Sequence, residues 1–120
     1  MDLVGVIAEA CNVDRNLASK ALGAIFTSIR MGVDTKSFAQ VVSAFPDCSD
    51  WMREAPTSSA RTGALLALAT PATLERGLRQ LGLGDEQIAA SGKLVGAALN
   101  AALPAGVTAK IVGRLPLLRT

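Results

Sequence analysis

SFAQVVSAFP, residues 37–46, sets Phe38, Val41, Val42 and Phe45 on one side of a 3.6-residue period, and Pro46 closes the run. That pattern is a helix with one apolar stripe, and it is the first of two. Sliding the chain forward by 70 positions without a gap lays Val41, Val42, Phe45 and Pro46 on Ile111, Val112, Leu115 and Pro116. The same offset pairs Val4, Ala8, Cys11 and Val13 with Leu74, Leu78, Leu81 and Leu83. It also pairs Ile25, Ile29 and Val33 with Val95, Leu99 and Leu103. Two related three-helix units are the expectation.

Working outward, Asp2 can cap a short first helix with Val4, Ile7, Ala8 and Cys11 on one face and Asn12 at its end. Asp14 caps a second, expected to about Arg30, whose stripe holds Leu17, Ala18, Ala21, Leu22, Ile25, Phe26 and Ile29. Gly32 fits just past that helix, and Asp34 can cap the third. A short helix from about Cys48 to Glu54 contributes Trp51 and Met52. Thr57 to Ser59 reads as a linker, and Gly63 to Ala69 is apolar all round, suiting a connecting helix buried between the units or against another chain.

Thr70 and Pro71 start the next helix, which carries Leu74, Leu78 and Leu81 and stops at Gly82. A long helix follows from Gly84 or Asp85 to Pro104 with Ile88, Val95, Leu99 and Leu103, and the last holds Ile111, Val112 and Leu115.

The fold expected is therefore all-α, a compact bundle of six to eight short helices in a single domain spanning 1–120. Residues 1–56 form one unit, 57–70 the linker and apolar connection, and 71–120 the second. In 120 residues the units must share a core. Alanine, the best helix former, fills 21 positions, while the aromatics are only Phe26, Phe38, Phe45 and Trp51. The core is expected to hold Ile7, Leu22, Ile25, Phe38, Val42 and Phe45 from the first unit. The second unit supplies Leu74, Leu78, Val95, Leu99, Ile111 and Leu115.

The net charge of +2 does not point to a polyanion. Its distribution is uneven: residues 1–56 carry seven acids against five bases, and residues 57–120 seven bases against three acids. The units can attract each other within a chain or pair between chains. Asp2 directly after Met1, without a basic leader, argues against an uncleaved signal peptide, and Leu94 to Ala109, broken by Asn100 and Pro104, is too short to cross a bilayer. A cytoplasmic, non-transmembrane protein is expected, with a mature exported form as the alternative and Cys11 and Cys48 as free thiols.

Chemistry is scarce. There is no histidine and no tyrosine, so histidine-dependent triads are excluded. Cys48 sits beside a helix start that could lower its pKa but has no histidine partner. Asp47, Asp50 and Glu54 lie on adjoining turns, where the helix dipole already explains acids. Lys110 and Arg114, one turn apart, read as a solvated face. No residue is assigned a catalytic, cofactor-binding or metal-binding role, and no cofactor is expected.

Two family resemblances touch these residues. Leu3, Ile7, Ala8, Glu9, Ala18, Ala21, Leu22 and Phe26 resemble the helical opening of bacterial histone-like DNA-binding proteins, in which the hairpin serves dimerisation and a following β-saddle with basic arms holds DNA. Nothing after Gly32 resembles that second part, so the resemblance implies a dimerising hairpin and no nucleic-acid partner. Asp14 to Gly23, Phe38 to Pro46 on to Ala55 and Pro56, and Leu78 to Leu83 with its leucine-glycine-leucine turn resemble the uncharacterised bacterial family named after VcgC and VcgE. That resemblance implies a helical fold and brings no activity with it.

The function expected is a non-catalytic helical interaction or structural module that binds protein and self-associates into a homo-oligomer through surplus apolar helix surface and its opposite charges. The alternative is a carrier for a hydrophobic small molecule or lipid in an alanine- and glycine-lined cavity. Gly23, Gly77, Gly92, Gly96 and Gly113 all fall inside expected helices at roughly 1 kcal/mol each against alanine, which close helix approach would offset. Gly96→Leu should therefore overpack the bundle and lower its thermal midpoint by several degrees, about what a 1–3 kcal/mol loss produces in a chain of this size. An unchanged midpoint by calorimetry would place Gly96 at the surface.

Overall fold

Nine consecutive residues, Ala21 to Ile29, are buried, so the helix that carries them is enclosed on every side. In the computed structural model, which describes residues 3–54, 71–115 and 118, this helix is the second of seven. They run α1 Leu3–Cys11, α2 Arg15–Gly32, α3 Thr35–Ala44, α4 Cys48–Glu54, α5 Pro71–Gln80, α6 Asp85–Ala102 and α7 Ala105–Arg114. All regular structure among the described residues is helical, as the alanine content and 3.6-residue stripes require. The linker and apolar connection expected at 57–70 lie outside the described residues.

Local chemistry sets each boundary. Asp14 Oδ1 accepts the Leu17 N–H at 2.7 Å and starts α2; Asp34 Oδ2 accepts the Ser37 N–H at 3.0 Å and starts α3. Asn12 closes α1 at φ 55° and Gly82 follows α5 at φ 105°. At both turns the next residue reaches back five positions, Val13 N–H to Ala8 C=O and Leu83 N–H to Leu78 C=O, leaving the chain reversed for the next helix. Gly84 caps α6, where Gln87 Oε1 accepts the Gly84 N–H at 2.8 Å. Pro104 breaks the chain between α6 and α7.

The core is a single cluster drawn from all seven helices together with Leu118. Around α2 pack α1, α4, α5 and α7, with α3 along its edge, while α1 also lies on α6. The first helix of each half thus rests against the long helix of the other half, α1 on α6 and α5 on α2. Phe26, fully buried, meets the rings of Phe45 at 5.6 Å and Trp51 at 5.4 Å, both edge-on. Thr27 and Ser28 enter the same interior because their hydroxyls donate to the Gly23 and Ala24 carbonyls one turn back. A 12.7 Å radius of gyration, against about 13.6 Å for a globular chain of this length, fits one shared core.

Several expectations need correction. α2 continues to Gly32, which is its last residue and not the position beyond it. Phe38, Val42 and Phe45 are half-buried and line the margin of the core; the residues α3 buries are Ser37 and Val41. A ten-residue helix at the edge of α2 can enclose only the row facing inward, and Phe38 and Val42 flank that row. Gly23, Gly92 and Gly96 are buried as close packing requires, but Gly113 is exposed, and a Cβ there would meet nothing within 4 Å. The remaining nine of the twelve expected core residues are buried. The surplus of apolar helix surface is absent from the described residues, where Val6, 37% accessible, is the one large hydrophobic side chain left exposed.

Phe26→Ala should remove about 3–5 kcal/mol of stability in denaturant titrations, because the ring is fully enclosed and rigid helices on all sides cannot collapse into the space it leaves. A loss below about 1 kcal/mol would mean the surrounding helices close up freely.

Candidate functional site

The largest described depression, about 400 Å³, lies where α2 ends and α7 ends side by side. Gly32, Val33 and Asp34 form one wall, and Lys110, Gly113 and Arg114 the other. Two backbone features open it. The stem of Arg114 lies against Gly32, where an added Cβ would stand 3.4 Å from the Arg114 Cβ, and Gly113 offers no side chain. Lys110 and Arg114 are one turn apart on α7, so both reach the same cleft.

Asp34 is held here by its capping role. Besides the Ser37 N–H, it accepts the Ser37 hydroxyl on Oδ1 at 2.7 Å, and Lys110 Nζ stands 3.8 Å from the same oxygen. The Ser37 hydroxyl and N–H favour the ionised carboxylate and hold its pKa below the usual value of 3.8, with Lys110 adding a smaller pull. Both partners of the ion pair are more than half exposed, so water competes with it and it contributes little to stability. It joins an acid of residues 1–56 to a base of residues 57–120.

The other sequence features resolve as structure. The Cys48 side chain is buried, and burial pushes its pKa up against a smaller opposing pull from Ser49, with Asp47 adding a lesser push upward. The helix start does not activate it as its sequence position suggested, because desolvation outweighs the dipole of a seven-residue helix. Asp50 pairs with Arg53 at 3.5 Å, and among the described residues no group of three ligating side chains could hold a metal ion. Cys11 and Cys48 are free thiols.

Cys11 belongs to a polar node that the sequence reading missed. Its Sγ lies 3.3 Å from Ser91 Oγ and 3.5 Å from the Gln87 carbonyl, while Gln87 Nε2 donates to the Cys11 carbonyl at 2.6 Å. One glutamine side chain therefore satisfies the start of α6 and the end of α1 together. The pairing spans 76 residues, so no local pattern announces it.

Two further clefts are described. One, of about 250 Å³, is lined by Gly96, Asn100, Thr108 and Val112 among others; the second, of about 240 Å³, lies between Gln40, Ser43 and Ala44 of α3 and Ala102, Leu103 and Pro104 at the end of α6. All three open broadly to solvent. No helix among the described residues is long and apolar enough to cross a membrane. No protein-family description, curated protein or solved structure matches the chain.

The sign of the Asp34 shift fixes a pH dependence. A carboxyl held below its unfolded value stabilises the fold above that value and loses the contribution as pH falls through the folded pKa. Asp34→Asn should therefore melt below the natural protein at pH 7, and the two thermal midpoints should converge as pH drops below about 3.8. Parallel curves down to pH 2 would show that the ionised carboxylate is not what holds the α3 cap.

Proposed function

We propose that this chain is a non-catalytic interaction module built from two related three-helix units that bind each other, with protein as its partner class. The observation that carries the reading is reciprocal packing between units whose second and third helices coincide at an offset of 70. α2 at 15–32 answers α6 at 85–102, α3 at 35–44 answers α7 at 105–114, and the left-handed turn residue Asn12 answers Gly82. Five buried positions agree as well, Ala18, Ala21, Leu22, Ile25 and Ile29 answering Ile88, Ser91, Gly92, Val95 and Leu99, while buried Ser19, Gly23 and Thr27 answer exposed Ala89, Lys93 and Ala97. With α1 against α6 and α5 against α2, each unit covers the other as two subunits of a dimer would.

Self-association into a homo-oligomer stays part of the proposal, beside the pairing of the two units within one chain. Among the described residues, apolar faces that would drive pairing between copies are consumed at the internal interface, and the surface offers clefts with polar and charged walls instead. The carrier alternative draws no support from these clefts, which stand open where a hydrophobic ligand requires enclosure. The absence of histidine and the raised pKa of Cys48 support a role without catalysis. Kinship with the VcgC and VcgE family belongs to the same proposal, carried by Phe38 to Pro46 and Leu81 to Leu83.

Co-expressing residues 1–62 and 63–120 as separate chains tests the reading. Native mass spectrometry should find a one-to-one complex of the halves and, for the intact protein, multiples of the 12.3 kDa chain without a retained small molecule. Soluble halves that ignore each other would overturn the two-unit reading, and a reproducible adduct on the intact chain would restore the carrier.

A further inference from the structure

The 400 Å³ cleft and the 240 Å³ cleft are counterparts. Shifting Gly32, Val33 and Asp34 by 70 gives Ala102, Leu103 and Pro104; shifting Gln40, Ser43 and Ala44 gives Lys110, Gly113 and Arg114. Each cleft is bounded by the end of a long helix from one half and the end of a ten-residue helix from the other. The same backbone has therefore been finished in two ways. One version carries two cations, the Asp34 carboxylate and glycine at two wall positions. Its counterpart carries no charge and has Ala102 and Ser43 at those positions.

Cations at helix C-termini have an ordinary explanation in the macrodipole. The neutral cleft shows that the same pair of helix ends does not require them, since Gln40 and Ala44 stand there. Pairing with Asp34 does not account for the difference either. The 3.8 Å contact is exposed, Asp34 already has two hydrogen bonds from Ser37, and Arg114 has no ion-pair partner among the described residues. Lys110 can leave Asp34 at little cost, and Arg114 is held in place by its stem against Gly32.

We infer that the cleft between the ends of α2 and α7 receives an acidic segment of a partner protein, with carboxylates engaging Lys110 and Arg114. Charge complementarity selects the occupant: bases one turn apart have Cβ atoms about 5–6 Å apart, near the spacing of alternate side chains in an extended peptide. The open wall favours a peptide strand over a small anion that needs enclosure. Gly113, where an added Cβ would meet nothing within 4 Å, lets its backbone approach. The inference names the partner of the module proposed above and rests on that reading.

The test is fluorescence anisotropy with a fluorescein-labelled peptide of five Glu-Ser repeats, against the matching Gln-Ser peptide, in 50 mM and 300 mM salt. The acidic peptide should bind and weaken with salt, while the Gln-Ser peptide should not bind. Lys110→Gln with Arg114→Gln should weaken binding by roughly fivefold or more, whereas Arg76→Gln with Lys93→Gln, which removes the same charge from α5 and α6, should change it less than about twofold. Asp34→Asn, which removes the competing carboxylate and keeps a capping side chain, should tighten it. Amide shifts at Gly32 and Gly113 in the natural protein should move on titration, whatever the variants do to folding. Equal losses in the two double variants, unmoved glycine amides, or glutarate binding as tightly as the peptide would each overturn the proposal. Gln40→Lys with Ala44→Arg separates the two readings: a second binding site supports both, while no second site alongside loss at Lys110 and Arg114 leaves the docking cleft standing and removes the equivalence of the units.

Discussion

Enclosure of α2 is the constraint on which the rest of the bundle depends. A helix buried over nine consecutive residues cannot exist beside a single neighbour, so α1, α4, α5 and α7 must all be present for it to leave water. Its composition makes this feasible. Ala18, Ala21 and Ala24 let neighbours approach, Phe26 supplies bulk toward Phe45 and Trp51, and Thr27 and Ser28 return their hydroxyls to the helix's own carbonyls. Nothing buried on α2 calls for water at these hydroxyls.

Helices and their caps were legible because they are local. Asp14, Asp34 and Pro104 act on the next turn of chain, and the stripes at Leu22, Ile25 and Ile29 or Val95 and Leu99 repeat within a few residues. What could not be read was depth. The same four-residue spacing describes a stripe at the core and one at its margin, so Phe38, Val42 and Phe45 resembled core residues although only one row of α3 faces inward. The missing distinction was how many neighbours each helix would have. α2 has several and α3 one principal neighbour, and the small residues Gly23, Ala24, Thr27 and Ser28 were the available hint that α2 would be surrounded.

The candidate site shows the same division. Lys110 and Arg114 stand out in the sequence as a pair, but the partner wall at Gly32 to Asp34 lies far away in the chain and joins them only through packing. The 70-residue alignment already contained the contrast that matters, since it lays Lys110 on Gln40 and Arg114 on Ala44. Under the proposed two-unit reading, the differences between the halves are more informative than their similarities. Buried positions such as Ile25 and Val95 keep their character, while the rims of the clefts diverge in charge and in side-chain bulk.

The seam between Cys11 and α6 also bears on how the chain is made. Gln87 and Ser91, which complete the end of α1, lie 76 and 80 residues downstream of it. At a synthesis rate of about 5–20 residues per second, the face that α1 will present to them waits on the order of 4–16 s, longer once the ribosomal exit path is counted. During that interval α2 is the main described neighbour that Leu3, Val4 and Ile7 have to shelter against. A fold that stores its first helix against its sixth gives the nascent chain a period of exposed apolar surface, the kind of surface that general chaperones bind.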